Sequence, residues 1–257
     1  MEKRIFVVSD LHGQFVMMQL LLDKIGFNDN DELYILGDIM DRGPNSIGIY
    51  YFLKEMDNIH LIKGNHEMMM YDSMVAALKY NDLDSERSNP YRLWKQNGGN
   101  KTVDSIREYL QKDCSSYSEY FDNKQTFIKE LLEFIESLPQ YVELDMNGKH
   151  YVLVHAGVDP EIALEDNDPE IMAWIREYFY YNEANPDYTY IFGHTPCCFL
   201  NDDMSMNIWR DPDYHNKIGI DGGLAMGLKR GQLNCLCLNT EEEIVVNESD
   251  LNKYLKK

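Results

Sequence analysis

Five short polar stretches hold most of the residues in this chain that could do acid–base or metal chemistry. They are Asp10-Leu11-His12-Gly13, Gly37-Asp38-Ile39-Met40-Asp41-Arg42-Gly43, Gly64-Asn65-His66-Glu67, His155-Ala156-Gly157 and Gly193-His194-Thr195-Pro196. Each follows an apolar run that reads as a buried strand. Of the seven histidines, His12, His66, His155 and His194 stand at these strand ends, whereas His60, His150 and His215 do not. A single histidine at a strand end is an ordinary structural residue. Five successive loops carrying Asp, His and Asn make a ligand set, and open α/β sheets keep their sites at strand ends.

The donors are carboxylate, imidazole and amide, with no thiolate. That mixture suits Mn, Fe or Zn, whereas Ca would take more oxygens. Two metal ions ~3.5–4 Å apart need a bridging carboxylate between them, and Asp38, central in the set, fits that place.

The elements that must position these loops follow in β-α-β-α-β rhythm. Strands are expected at Arg4–Ser9, Leu33–Leu36 and Ile59–Ile62, with helices near Gln14–Ile25 and Ile47–Met56. Gly26 closes the first helix and Ser46 can cap the second. The rhythm calls for a sheet with parallel strands and helical crossovers. From Met68 to Pro139 it changes: Met68–Tyr80, Asn100–Gln111 and Lys124–Leu138 look helical, and no strand is evident. This region, residues 68–139, reads as a helical insertion within a single domain spanning residues 1–257. Its Met68-Met69-Met70 run is packing material, and Trp94 with Asn97-Gly98-Gly99 reads as a helix–helix connection. Strands resume at Tyr141–Met146 and Tyr151–Val154 around an Asn147-Gly148 hairpin turn. A helix over Pro169–Tyr181 follows, then strands at Tyr188–Phe192 and Lys217–Ile220. A closing pair lies at Gln232–Leu238 and Glu243–Val246, and Ser249 can cap a last helix.

The chain carries a net charge of −20, which opposes non-specific binding to nucleic acid or to an anionic membrane surface. Its five cysteines form no CxxC pair, and reduced thiols in a cytosol are the simplest reading. Cys197 is expected to pack. Met1-Glu2-Lys3-Arg4 leads straight into a strand without a signal-peptide apolar region, and no run approaches a membrane span. A cytoplasmic protein with no membrane or nucleic-acid partner is expected.

Taken in order, DLHG, GDIMDRG, GNHE, HAG and GHTP resemble the metallophosphoesterase fold, and more narrowly the PPP family of phosphoprotein phosphatases. Met68-Met69, Trp94 with Asn97-Gly98-Gly99, Trp174-Ile175-Arg176 and IFGHTP are similar to its compact bacterial and phage branch, typified by bacteriophage lambda phosphatase. The resemblance implies a four-layer α/β/β/α sandwich of two mixed sheets and two divalent metal ions, first of all Mn²⁺. Asp10, His12 and Asp38 would hold one ion, and Asp38, Asn65, His155 and His194 the other. A hydroxide bridging the ions would attack phosphorus in line. His66 would protonate the leaving oxygen with Asp41 orienting it and favouring its protonated form. Arg42 and Arg176, with Asn65, would bind the substrate phosphate. Glu67 would support its loop, and Asp221-Gly222-Gly223 would be structural. Ser9 and Ala156 depart from the commoner glycines and touch no ligand.

The implied activity is a phosphomonoesterase acting on phosphoserine and phosphothreonine in proteins or on small phosphate esters. The nearest rival is a symmetrical dinucleoside tetraphosphate hydrolase, whose members more often have Asp where this chain has Glu67. A broad-range small-molecule or phosphotyrosine phosphatase also fits the motifs, and an inactive metal-binding module would share the ligand set. A nuclease is disfavoured by the acidic surface.

Overall fold

The computed structural model describes residues 3–80, 89–112, 114 and 116–256. Two five-stranded mixed sheets stack face to face. The first is ordered β10(Glu243–Val246), β9(Leu233–Cys237), β1(Ile5–Val8), β2(Glu32–Ile35), β3(Ile59–Leu61). The second is ordered β4(Tyr141–Met146), β5(Lys149–Val154), β6(Tyr188–Phe192), β8(Lys217–Gly219), β7(Trp209–Arg210). In the first sheet β1, β2 and β3 run parallel, with β9 antiparallel to β1. In the second β5, β6 and β8 run parallel, with β4 and β7 antiparallel at the edges.

Side-chain alternation along the strands builds three cores. Val7 and Leu236 of the first sheet meet Tyr151, Leu153, Ile191 and Ile218 of the second between the layers. Phe6, Val8, Leu33 and Ile35 face outward, onto α1(Phe15–Ile25), α2(Ser46–Glu55) and the helices that follow β3. Val152, Val154, Tyr190 and Phe192 face the other way, onto α7(Pro169–Trp174) and α8(Glu177–Tyr180). Strands buried on both faces must be apolar throughout, so they read as continuous runs rather than alternating ones. The result is an α/β/β/α sandwich.

Among the described residues, four helices stand between β3 and β4: α3(Asn65–Tyr80), α4(Asn89–Gln96), α5(Gly99–Gln111) and α6(Tyr117–Ser137). Residues 81–88, 113 and 115 of the expected insertion lie outside the described residues, as do Met1 and Glu2 of the N-terminal reading.

Several expectations are corrected. Asn45, not Ser46, caps α2, its side chain accepting the Gly48 N–H, while Ser46 is the first helical residue. Asn247, not Ser249, caps α9(Glu248–Tyr254) in a reciprocal capping box with Asp250. Helix α3 begins at Asn65, so Asn65, His66 and Glu67 form its first turn rather than a loop before it. Helix α4 is an addition. The helix expected over Pro169–Tyr181 breaks at Ile175 and Arg176. Cys197 is buried, its thiol donating to the Gly219 carbonyl at 3.1 Å. No described helix is long and apolar enough to cross a membrane.

Candidate active site

The parallel strands of both sheets deliver their following residues to one cleft of about 170 Å³, lined by Asp10, His12, Asp38, Arg42, Asn65, His66, Arg176 and His194 among others. The backbone there is unusual. Asp10, His12, Asp38, Asp41, Arg42 and His194 all have positive φ, between 41° and 69°. Such a conformation in a residue with a Cβ persists only where surrounding bonds impose it, and it clusters at functional sites. Here the His12 N–H donates to the Asp38 carbonyl at 2.8 Å and the Gly13 N–H to the Ile39 carbonyl at 2.9 Å, tying the first two loops together.

The histidines are oriented by their outer nitrogens. His155 Nδ1 lies 2.6 Å from the Leu36 carbonyl, and His12 Nδ1 lies 3.0 Å from the Met40 carbonyl. A carbonyl only accepts, so each Nδ1 carries the proton and each Nε2 presents a lone pair inward. His155 Nε2 and His194 Nδ1 both lie 2.9 Å from Asn65 Oδ1. Asp38 Oδ1 stands 3.5 Å from His155 Nε2, and Oδ2 stands 3.8 Å from His12 Nε2. The His155 Nε2 lone pair thus faces the Asn65 and Asp38 oxygens across short distances, whereas a proton on His194 Nδ1 makes its Asn65 contact an ordinary hydrogen bond. A bound cation resolves that arrangement, and the mixed oxygen and nitrogen set fits a divalent one.

Among the described residues, two three-residue groups bring their ligand atoms within 4.8 Å of one another: His12/Asp38/His66 and Asp38/His155/His194. Asp38 belongs to both. Asp10, expected in the first, stands outside it; its Oδ2 accepts the His194 backbone N–H at 2.9 Å while it lines the same cleft. His66 takes the third place in that group, with Nε2 3.9 Å from Asp38 Oδ2. Burial raises the Asp10 and Asp38 carboxyls well above their usual range, reinforced by Asp221 near the first and Glu67 near the second. Burial lowers His12, His66 and His194, helped by neighbouring positive groups. Divalent cations reverse the first tendency and add to the second, favouring carboxylate and neutral imidazole.

Asp41 and His66 form a buried pair, with His66 Nδ1 2.6 Å from Asp41 Oδ2. Asp41 also accepts from Trp94 Nε1 and from the Thr102 hydroxyl. Burial pushes Asp41 up to about 7 and His66 down, with Arg42 adding to the second effect. The expectation that Asp41 favours protonated His66 is therefore offset here by desolvation and by the nearby guanidinium.

Arg42 donates through Nε to the Asn97 carbonyl at 3.2 Å, with Nη1 3.2 Å from His12 Nε2. Gly98, at φ 102°, packs flat against it; a Cβ there would sit 2.7 Å from Arg42 Cγ. Arg176 occupies the break between α7 and α8 and donates to the Thr195 hydroxyl at 2.9 Å. The break brings Arg176 to the lining of the cleft that Arg42 also lines.

The sequence pattern of the calcineurin-like phosphoesterases matches residues 3–198. The chain belongs to that family. The phosphoesterase is 25% identical over 237 residues to serine/threonine-protein phosphatase 1 of Salmonella typhimurium, covering 90% of each chain. It is 26% identical over 158 residues to the symmetrical bis(5'-nucleosyl)-tetraphosphatase of Erwinia tasmaniensis, spanning 61% of this chain and 45% of that one. It thus spans under half the length of that tetraphosphatase. A solved structure provisionally assigned as a diadenosine tetraphosphatase superposes with a TM-score of 0.63 at 16% identity, covering 95% of this chain and 93% of the other. Calcineurin-like phosphoesterases are hydrolytic enzymes that bind divalent metals.

Two polar contacts of the phosphoesterase's site escape the sequence reading. Trp94 and Thr102 reach Asp41 from the helices after β3; the stretch from Trp94 to Thr102 stands out by composition, but nothing local ties it to Asp41. Asp221, read as structural, is buried in the cleft wall, and burial lifts it to about 6. Glu67 makes four backbone contacts: Oε2 accepts from Asp38 at 2.8 Å and Gly64 at 3.0 Å, and Oε1 from Ile39 at 3.0 Å and Met40 at 3.3 Å.

Proposed function

We propose that this phosphoesterase is a metal-dependent phosphomonoesterase, with phosphoserine and phosphothreonine in proteins as its main substrate class. The observation behind the reading is the buried Asp41–His66 pair, whose imidazole lines the same cleft as Asp38, Arg42 and Arg176. An alkoxide is a poor leaving group and needs a proton; a buried imidazole held by a carboxylate is built to provide one. Asp10, His12, Asp38, Asn65, His155 and His194 would hold two divalent ions, with Mn²⁺ the first candidate. Bound ions would activate water and neutralise phosphoryl charge. The two guanidiniums would clamp a phosphate carrying three free oxygens, a fork geometry suited to the task. A phosphate dianion there would offset the Arg42 charge that depresses His66, so that substrate binding itself favours the protonated ring. The match to a serine/threonine-protein phosphatase along 90% of both chains supports this reading, as does Glu67.

A second reading is symmetrical dinucleoside tetraphosphate hydrolysis. More of the matched relatives carry that name, and the structure superposing at a TM-score of 0.63 is assigned to it. The leaving nucleoside diphosphate needs little protonation, so the two readings differ in their demand on His66. Rates on a phosphoserine peptide, a phosphotyrosine peptide and diadenosine tetraphosphate, measured side by side with Mn²⁺, test the choice. Faster turnover of the phosphoserine peptide supports the first reading, and a much higher rate on the dinucleotide replaces it with the second.

A further inference from the structure

Trp94 and Thr102 come from α4 and α5, outside every loop that carries a candidate metal donor, yet both end on Asp41. The Thr102 hydroxyl accepts the Asp41 backbone N–H at 2.9 Å and lies 2.6 Å from Asp41 Oδ1. A hydroxyl has a single proton. With the Asp41 N–H directed at its oxygen, that proton is directed to Oδ1. The Trp94 indole N–H can only donate, and it lies 2.9 Å from each Asp41 oxygen. Oδ1 therefore faces two donors, both of which favour the ionised carboxylate. An ionised carboxylate only accepts, so the proton of the Asp41–His66 contact sits on His66 Nδ1, 2.6 Å from Oδ2. Asp41, Trp94, Thr102 and His66 are each buried to within 2% exposure, so water does not substitute for any of these partners.

We infer that Thr102 and Trp94 are positioning residues that fix the polarity of the Asp41–His66 hydrogen bond, holding His66 with its proton on Nδ1 and its Nε2 toward the cleft. Nε2 is then the nitrogen through which a proton leaves and returns, and the ring need not turn between the two states. The helices between β3 and β4 thereby complete the acid pair from a distance of 53 and 61 residues along the chain. Without these donors Asp41 can carry its proton on Oδ1 or rotate away, and His66 is free to take the other tautomer. The kinetic consequence rests on the hydrolase reading; the tautomer is a property of the folded chain and can be read without turnover.

The test compares Thr102→Val, Thr102→Ser and Trp94→Phe with the parent protein in two measurements. In the first, kcat and KM are measured with Mn²⁺ on a phosphoserine peptide and on p-nitrophenyl phosphate. Thr102→Val is expected to lower kcat on the peptide about 10- to 100-fold, the range for losing a group that orients a reacting one, with KM nearly unchanged. The loss on p-nitrophenyl phosphate, whose leaving group needs little protonation, is expected to stay below about 3-fold. Thr102→Ser restores the hydroxyl and most of the rate, and Trp94→Phe repeats the Val pattern more weakly. In the second, ¹⁵N shifts of the His66 ring in metal-free protein report Nδ1–H in the parent and a tautomer mixture in Thr102→Val. Equal losses on both esters, a Ser variant no better than Val, or an unchanged tautomer would overturn the inference and leave packing as the role. If Thr102→Val does not fold, Trp94→Phe and Thr102→Ser carry the same comparison. If the parent hydrolyses neither ester, the hydrolase reading fails while the nitrogen shifts still decide the tautomer.

Discussion

Replacing Glu67 by Gln probes how the Asp38 loop is held. The Glu67 carboxylate is fully buried and accepts four backbone N–H groups, from Asp38, Ile39, Met40 and Gly64. Gln has nearly the same shape but swaps one oxygen for an NH₂ group, which points donors at two of those N–H groups. Each orphaned buried N–H costs about 1–3 kcal/mol, or roughly 2–6 kcal/mol for the pair. Removing a buried charge beside Asp38 and Asp41 offsets part of this, so about 2–4 kcal/mol is expected, a large share of a typical ~5–15 kcal/mol stability. Urea unfolding at pH 7 with an unchanged m-value measures it. Activity should fall further than stability alone explains, because Asp38 belongs to both candidate cation groups and a ~1 Å misplacement can cost about 100-fold. A loss of stability within about 0.5 kcal/mol, the range of ordinary surface changes, would refute the claim that Glu67 clamps this loop.

Gly98→Ala forces a Cβ to within 2.7 Å of Arg42 Cγ at a φ of 102°, so KM for a phosphomonoester should rise about tenfold with a smaller change in kcat, measured by steady-state kinetics. His66→Asn should lower kcat about 10²–10⁴-fold on an alkyl phosphate and much less on p-nitrophenyl phosphate; equal losses would remove the general-acid role. The Arg4 guanidinium, donating to both oxygens of Asp31, holds that carboxyl below its usual range. Because the native value is depressed, its stabilisation is present above the unfolded value of about 3.9 and fades as pH falls through the native one. Asp31→Asn should therefore be less stable than the parent at pH 7, and the two melting curves should converge as pH drops below about 4.

The sheets and strand-end loops were legible because buried strands are apolar runs and each ends abruptly in Asp, His or Asn. Asp38, His155 and His194 could be brought together from that pattern alone. The rest depends on contacts between distant residues. Thr102 meets Asp41 across 61 positions, and no local spacing encodes that. Helix α4 is short and polar, so its residues read as a connection. The break at Ile175 and Arg176 has no Gly or Pro to announce it; periodicity runs on through it while the chain turns Arg176 into the cleft. Asn45 and Ser46 are both good caps, and only the backbone decides between neighbours. The positive φ of Asp10, His12, Asp38 and His194 was equally invisible, since those residue types tolerate the left-handed region without requiring it.

The central claim is that this cleft hydrolyses a phosphate ester with the help of divalent cations gathered around Asp38. The most direct measurement follows turnover of a phosphoserine peptide by chelator-treated protein before and after Mn²⁺ is returned, with metal content read on the same samples and on Asp38→Asn. The account predicts no turnover without metal, recovery with Mn²⁺, and the largest loss of bound metal in Asp38→Asn. Undiminished turnover by protein verified to be metal-free would contradict it.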